Sequence, residues 1–200
     1  MGPFEPDLIK ALKNHNADRQ HGTDGHIHPA KPIPPATAEN LRKTEQVLGF
    51  QMPELLRTLY REVGNGGFGP EYGIVGIEGG FKLDGLSLES CYRRMLLLPE
   101  ENLHWRWPAH LLPLASFGCG SWSCVDCEYA ELPMILWDPN DLEAALEAAD
   151  ALTNWGNAFW DQGLSLTTWL QGWIASKPEP EPQWPSDAWM KKRLGFTLPK

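Results

Sequence analysis

Residues that begin and end helices are concentrated between positions 37 and 67, and they constrain the fold more than any other feature of this sequence. Thr37 is a good helix N-cap, and apolar residues follow it at helical spacing. Gly49 then offers the left-handed conformation that commonly ends a helix. Pro53 fits the first position of a second helix, because its missing N–H is not needed there. The Asn-Gly-Gly run at 65–67 is typical of a tight turn with positive φ. The segment therefore predicts two consecutive helices followed by a turn.

Three apolar and aromatic runs in the second half of the chain predict strands. They cover residues 111–117, 122–126 and 134–137, and the short segments between them are typical of an antiparallel meander. Residues 72–77 predict a further short strand, and Ser165 is the expected cap of a final core helix. The whole pattern predicts an α+β fold: a single domain with a mainly antiparallel sheet and helices packed largely on one face.

Composition divides the chain into three parts. Residues 1–36 predict a short helix followed by a flexible arm rich in His and Pro. Residues 37–176 form the predicted α+β domain. Residues 177–200 begin with a Pro-rich extended spacer and end in a tail, in which Trp189 and Leu194 are expected to dock back on the body.

The excess negative charge of the chain lies entirely in residues 107–176. The net charge is −9, and this block contains no Lys or Arg but holds nine of the 26 acidic residues and seven of the 10 Trp residues. A local field of one sign speeds encounters with oppositely charged proteins and repels nucleic acid and anionic lipid. Acidic residues beside large aromatic side chains are also typical of protein-binding faces. The block therefore predicts a protein partner, with neither nucleic acid nor membrane as a ligand. The alternative is that the acids merely aid solubility.

Residues in this block that are expected at turns and sheet ends form the predicted partner-binding set. Trp122 and Trp137 have an alternative interpretation as core aromatics on the inner face of the sheet. Asp126 also has one, because a short acid at the end of a strand can hold a loop through backbone N–H groups. The set consists of Trp122, Asp126, Glu128, Tyr129, Glu131, Trp137, Asp138 and Asp141.

The sequence predicts no catalytic residue, no metal site and no cofactor. The C-x4-C-x2-C spacing of Cys119, Cys124 and Cys127 suggests zinc, but the fourth sulfur is far upstream, so buried thiols are favoured. Three histidines in the N-terminal arm could bind a metal, although no acid or Cys near them completes a site. A carboxylate pair for acid–base chemistry is not favoured either, because nothing in the sequence separates the pKa values of its members. The histidines are His21, His26 and His28.

The first residues of the chain and its hydropathy bear on its expected location. The N-terminus lacks the basic-then-apolar pattern of a secretory signal. No stretch reaches the length and hydropathy of a membrane helix. The expected location is therefore the cytoplasm.

An ordered series of motifs from residue 38 to 175 resembles the SUKH superfamily. The series begins with Glu45-x-x-Leu48-Gly49-Phe50-x-Met52-Pro53, passes through Gly64-Asn65-Gly66-Gly67 and continues with Tyr72-Gly-Ile-Val-Gly-Ile. Downstream come Leu112-Pro113-Leu114, Ser123-Cys-Val-Asp126 and Met134-Ile-Leu-Trp137-Asp138. The residues that mark this fold are Gly49, Pro53, Asn65, Gly66 and Gly67, and each has a structural explanation as a helix stop, a helix start or a turn.

The resemblance implies a binding domain without enzymatic activity. The superfamily includes bacterial immunity proteins that neutralise toxins, many of them nucleases, by direct binding. It also includes fungal regulators of cell-wall assembly. The leading hypothesis is an immunity protein that captures a basic toxin domain through an acidic, Trp-rich surface, since nuclease domains must be basic to hold phosphates. The alternative is a regulatory or scaffold module related to the cell-wall-assembly regulators. Both a monomer and a homodimer remain open.

Overall fold

The computed structural model describes residues 6–18, 29, 31–97, 107–140 and 158–195. In this part of the chain, the structure has six α-helices and a four-stranded antiparallel sheet. The α+β prediction is therefore confirmed. The helices are α1 (Pro6–Asp18), α2 (Ala38–Leu48), α3 (Glu54–Thr58), α4 (Leu88–Leu97), α5 (Leu166–Ile174) and α6 (Asp187–Arg193). The strands are β1 (Leu111–Gly118), β2 (Ser121–Asp126), β3 (Pro133–Trp137) and β4 (Phe159–Ser165).

The predicted boundaries of α2 are confirmed. The Thr37 hydroxyl accepts a hydrogen bond from the backbone N–H of Asn40, and the Asn40 side chain accepts one from the N–H of Thr37, which forms a reciprocal capping box. Gly49 ends the helix with a φ of 81°, and its N–H donates to the carbonyl of Glu45. A Cβ at this φ would be strained, so glycine is the residue that this helix end favours.

The second predicted helix begins one residue later than expected and changes its geometry halfway. Pro53 is the residue before α3, with a ψ of 146°, and its carbonyl accepts the first helical hydrogen bond from the N–H of Arg57. A π-helix over Leu59–Val63 continues α3. The Tyr60 side chain in this turn is buried, and its hydroxyl donates to the Val75 carbonyl at 2.8 Å. The turn therefore ties α3 to the segment that follows it.

The Asn-Gly-Gly turn has the expected backbone geometry, with φ values of 81° at Gly66 and 75° at Gly67. Its Asn65 side chain has a further role. The Asn65 carboxamide accepts from the N–H of Ile77 at 2.9 Å and donates to the carbonyl of Glu78 at 3.1 Å. A buried amide with both ends bonded to backbone holds the two arms of the loop together.

The sheet is a meander in the order β1-β2-β3-β4, and its first three strands match the predicted runs. In the register of β2 and β3, Trp122 lies opposite Trp137. Every residue of β2 is buried, so both faces of the sheet are covered at this strand.

One predicted strand is not a regular strand in the structure, and one strand of the sheet was not predicted. The segment 72–77 is extended beside β1, but it makes one isolated bridge, from Ile74 to Ala115, and no regular strand. Strand β4 was not predicted. Its sequence, FWDQGLS, contains a glycine and does not alternate cleanly between apolar and polar residues. Pairing with β3 decides its conformation, since Leu136 lies opposite Trp160 and Trp137 opposite Phe159.

Both ends of the described chain contribute to the core. Leu8, Ile9 and Leu12 of α1 are buried. Trp189 and Leu194 near the C-terminus are also buried, at 7% and 9% exposure, so this part of the tail packs against the rest of the chain. The proposed division at residues 36 and 176 stays a prediction, and the arm at 19–28, with its three histidines, lies outside the described residues.

Candidate functional site

The candidate site lies at the end of β2, in the turn of residues 127–132 that leads to β3, hereafter the β2–β3 turn. Glu128 and Glu131 are exposed, and Tyr129 is half-buried. Asp126 is the last residue of β2, just before this turn, and its carboxylate accepts a hydrogen bond from the backbone N–H of Glu128 at 3.1 Å. This bond to a backbone N–H is the loop-holding role that the sequence offered as the alternative for Asp126.

The Asp126 side chain has no exposed surface. The Arg193 guanidinium donates through Nε to one Asp126 oxygen and through Nη2 to the other, both at 2.9 Å. The Trp189 indole N–H donates to the same carboxylate at 2.9 Å. Arg193 Nη2 also donates to the carbonyl of Ala109. The choice of Asp126 as a partner contact is therefore corrected, because its acceptors are taken by groups of its own chain.

Glu128 lies between three cationic or protonatable side chains. Its carboxylate is 3.0 Å from His110 Nδ1 and 3.8 Å from Lys192 Nζ. The hydrogen bond with His110, followed by the charges of Arg193 and Lys192, holds the pKa of Glu128 below its ordinary value. Lys192 Nζ also lies 4.3 Å from the centre of the Tyr129 ring, which is a cation–π contact. Glu128 and Tyr129, which are both in the predicted partner-binding set, therefore already contact Lys192 of the C-terminal tail.

Trp122 and Trp137 are core residues, with 9% and 5% of their surface exposed. Trp137 packs edge-to-face against Trp107 at 5.5 Å, and Trp107 packs against Phe159 at the same distance. The alternative interpretation is thus the one that the structure supports. These indoles stabilise the sheet and have little surface for a partner.

Asp138 lies at the opposite end of the sheet, because β3 runs antiparallel to β2. Its carboxylate accepts from the Ser121 hydroxyl at 2.9 Å and from the Asn140 backbone and side-chain N–H groups at 3.0 and 2.7 Å. The predicted set is therefore not one continuous patch. Glu128, Tyr129 and Glu131 share the β2–β3 turn, Asp138 caps the far end of the strands, and Asp141 lies outside the described residues.

A cleft of about 650 Å³ lies between α1, the loop at 69–71 and α5. Its wall includes Trp169, whose indole N–H donates to the Glu179 carboxylate at 2.8 Å. Gln162 Nε2 donates to the other Glu179 oxygen at 3.2 Å. Burial raises the pKa of Glu179. These two hydrogen bonds hold the Pro-rich spacer against the body of the protein, so the role of the Glu179 carboxyl group is structural.

The Cys91 and Cys124 thiols are buried, as predicted, whereas Cys127 is half-buried and Cys119 is exposed. Burial raises the pKa of Cys91 to about 12 and that of Cys124 well above its ordinary value. Within the part of the chain that the structure describes, no group of three or more His, Cys, Asp or Glu residues could hold a metal ion. None of the described helices has the length and apolar character to cross a bilayer.

Arg193 and Lys192 were not among the site residues predicted from the sequence. The signal was present: Arg193 follows Trp189 by four residues, so the two share one face of a helix. Ser186 caps this helix, and its hydroxyl accepts from the N–H of Trp189. What the sequence did not show is that this face meets the strand-terminal Asp126.

A comparison with protein families places this fold. The model of the SMI1/KNR4 family (SUKH-1) matches residues 35–157. The match covers more than half of the chain, so the protein belongs to this family, as the sequence motifs predicted. Strand β4, α5 and the C-terminal tail lie beyond the matched residues. Searches of curated proteins and of solved structures gave no significant match.

Proposed function

We propose that this SUKH-1 protein is an immunity-type protein without enzymatic activity, which binds a basic toxin domain and blocks it. Family membership supports a protein-binding role. The observation that carries the proposal is the charge distribution, since the whole net charge of −9 arises in a block without Lys or Arg. In that block Glu128, Tyr129 and Glu131 reach the surface on one turn.

The chemistry of the described residues also supports binding over catalysis. The thiols of Cys91 and Cys124 are protonated at neutral pH because burial raises their pKa values, and a protonated thiol is a poor nucleophile. Asp126 at the end of β2 is engaged in structural hydrogen bonds, and Glu128 and Glu131 on the β2–β3 turn are exposed to solvent. Exposed acids on one turn favour fast capture of a basic protein, because charge acts mainly on the association rate.

The test is capture of the toxin domain encoded by the gene next to that of this protein. Co-expression should yield a complex and restore growth of cells that carry the toxin. The association rate should fall as NaCl rises, because exposed charges are screened beyond about 10 Å at 0.1 M. The double variant Glu128→Gln/Glu131→Gln should slow association, whereas Glu39→Gln on α2, outside the acid block, should not.

Two results would reject the proposal. One is failure of the protein to bind any neighbouring toxin domain. The other is binding whose association rate is the same at low and high salt and in the double variant. Weak capture of several unrelated proteins would instead favour the regulatory or scaffold alternative.

A further inference from the structure

A groove at the end of β2 is filled by the chain's own C-terminal helix, α6. Asp126 forms its polar floor, and Phe159 forms part of its apolar wall, with the Trp189 ring centre 5.9 Å from that of Phe159. Trp189, whose indole N–H donates to Asp126, is almost completely buried, and so is the neighbouring Met190. Glu128 and Tyr129 line its rim and contact Lys192.

The contacts in this groove are those that proteins use to recognise each other. A buried Trp and a bidentate Arg are the side chains most enriched among energetically dominant interface residues. The last turn of α6 carries Lys191, Lys192 and Arg193. The floor and rim are acidic, so the groove and its occupant are complementary in charge. The groove is thus built for a basic helical segment that bears a tryptophan.

The occupant is an appendage joined by an exposed tether. The residues of the segment from Ala175 to Trp184 are exposed and include three prolines, but the Glu179 carboxylate holds the segment to the body through hydrogen bonds from Trp169 and Gln162. It touches the sheet edge where Gln183 and Asp161 exchange backbone hydrogen bonds of 2.7 and 2.8 Å, and where Trp184 stacks on Trp160 at 4.3 Å. The whole segment lies outside residues 35–157, which match the family. The groove floor at Asp126 lies inside the matched residues, whereas the wall residue Phe159 lies just outside them.

We propose that this groove is the receptor site for a basic, Trp-bearing segment of the partner protein, and that α6 is a built-in competitor which must leave before the partner binds. The partner itself rests on the proposed function. A tethered segment acts at an effective concentration of the order of millimolar, so the tail lowers the apparent affinity for any outside segment. Release of the tail exposes Asp126, which has no exposed surface while the tail is docked, and so brings this carboxylate into the interface.

The experiment uses a fluorescent synthetic peptide of residues 184–195 and the full-length protein. In the variant Arg193→Glu, the tail presents a carboxylate to Asp126, and like charges repel, so the tail should leave the groove. We expect the peptide to bind this variant at least tenfold more tightly than the wild type, because a tail at about 1 mM effective concentration weakens peptide binding about tenfold when its own dissociation constant for the groove is about 0.1 mM. Lys191→Glu is the matched control, because it makes the same charge change on an exposed residue of the same helix. Adding Asp126→Asn to the Arg193→Glu variant should abolish peptide binding.

Circular dichroism checks that the variants are folded. If Arg193→Glu does not fold, Trp189→Ala, which loosens the tail but keeps the ion pair, takes its place with the same expected tightening. Equal peptide affinity in the variant and in Lys191→Glu would overturn the proposal. So would a wild-type dimer in which tails have exchanged, because the groove would then receive a second copy of this chain.

The peptide assay contains no toxin, so it separates this inference from the proposed function. Peptide binding without toxin capture would support the groove as a binding site and reject the immunity role. Toxin capture that is equal in the wild type and in Arg193→Glu would keep the immunity role and show that the partner binds elsewhere, which overturns the groove assignment.

Discussion

The ion pair between Asp126 and Arg193 gives the most direct test of how the tail is held. Its two side chains are 0% and 7% exposed, and they share two hydrogen bonds of 2.9 Å. Replacing Arg193 by Ala leaves a buried carboxylate with two donors, the Trp189 indole and the Glu128 N–H. Breaking a buried pair from one side costs about 3–5 kcal/mol, and the two surviving bonds place this case near about 3 kcal/mol.

Urea unfolding followed by circular dichroism measures the loss. A decrease of about 3 kcal/mol corresponds to a fall in Tm of roughly 6–12 °C for a protein of this size. Asp126→Asn alone should also destabilise, since it leaves the guanidinium buried without its counter-charge. The double variant Asp126→Asn/Arg193→Ala should lose clearly less than the sum of the two, because groups in direct contact are coupled by about 0.5–3 kcal/mol.

Two outcomes would refute this reasoning. A loss below about 1 kcal/mol in Arg193→Ala would mean that the pair behaves as an exposed surface salt bridge. Strictly additive single losses would mean that the two residues stabilise the protein independently. Lys191→Ala, on the solvent side of the same helix, is the control and should change the free energy of unfolding by less than about 0.5 kcal/mol.

Three further outcomes are expected. Gly66→Ala should destabilise by more than about 2 kcal/mol in urea unfolding, because its Cβ would lie 2.6 Å from the Gly76 Cα at a positive φ; a neutral effect would contradict the turn geometry. One thiol in four should react rapidly with a thiol reagent in the native protein, and Cys119→Ser should remove it. Burial raises the pKa of Glu89, so the native state binds the proton of this carboxyl group more tightly than the unfolded state does. The contribution of Glu89 to the free energy of unfolding therefore falls as the pH rises above about 4.3, the ordinary pKa of Glu in an unfolded chain. Glu89→Gln should therefore flatten the stability–pH curve measured by urea unfolding between pH 4 and 7, and an unchanged slope would rule out this origin.

The helix boundaries show what local chemistry can predict. Thr37 and Gly49 act within one turn of their own helix, through a side-chain bond to a nearby N–H and through a permitted φ. No distant residue is needed for either effect, so both were predictable. The π-turn at Leu59–Val63 was not, because the same apolar spacing fits an α-helix equally well.

The candidate site shows the opposite case. The acid block and its aromatic residues are plain in the sequence, yet burial divides them: Trp122 and Trp137 face the core, Asp126 is enclosed and Glu131 is exposed. Alternation of apolar and polar residues along a strand normally indicates which side chains are buried. It does not do so at β2, because both faces of this strand are covered.

The sequence by itself determined the helix ends, the glycine turn, three of the strands and the family. Only the tertiary structure decided that β4 forms and that Arg193 meets Asp126, 67 positions earlier in the chain. The physical reason is the distance along the chain over which each interaction acts. A cap or a turn residue stabilises its own backbone wherever it occurs, whereas a strand edge or an ion pair gains free energy only after the chain has closed a long loop around a common core.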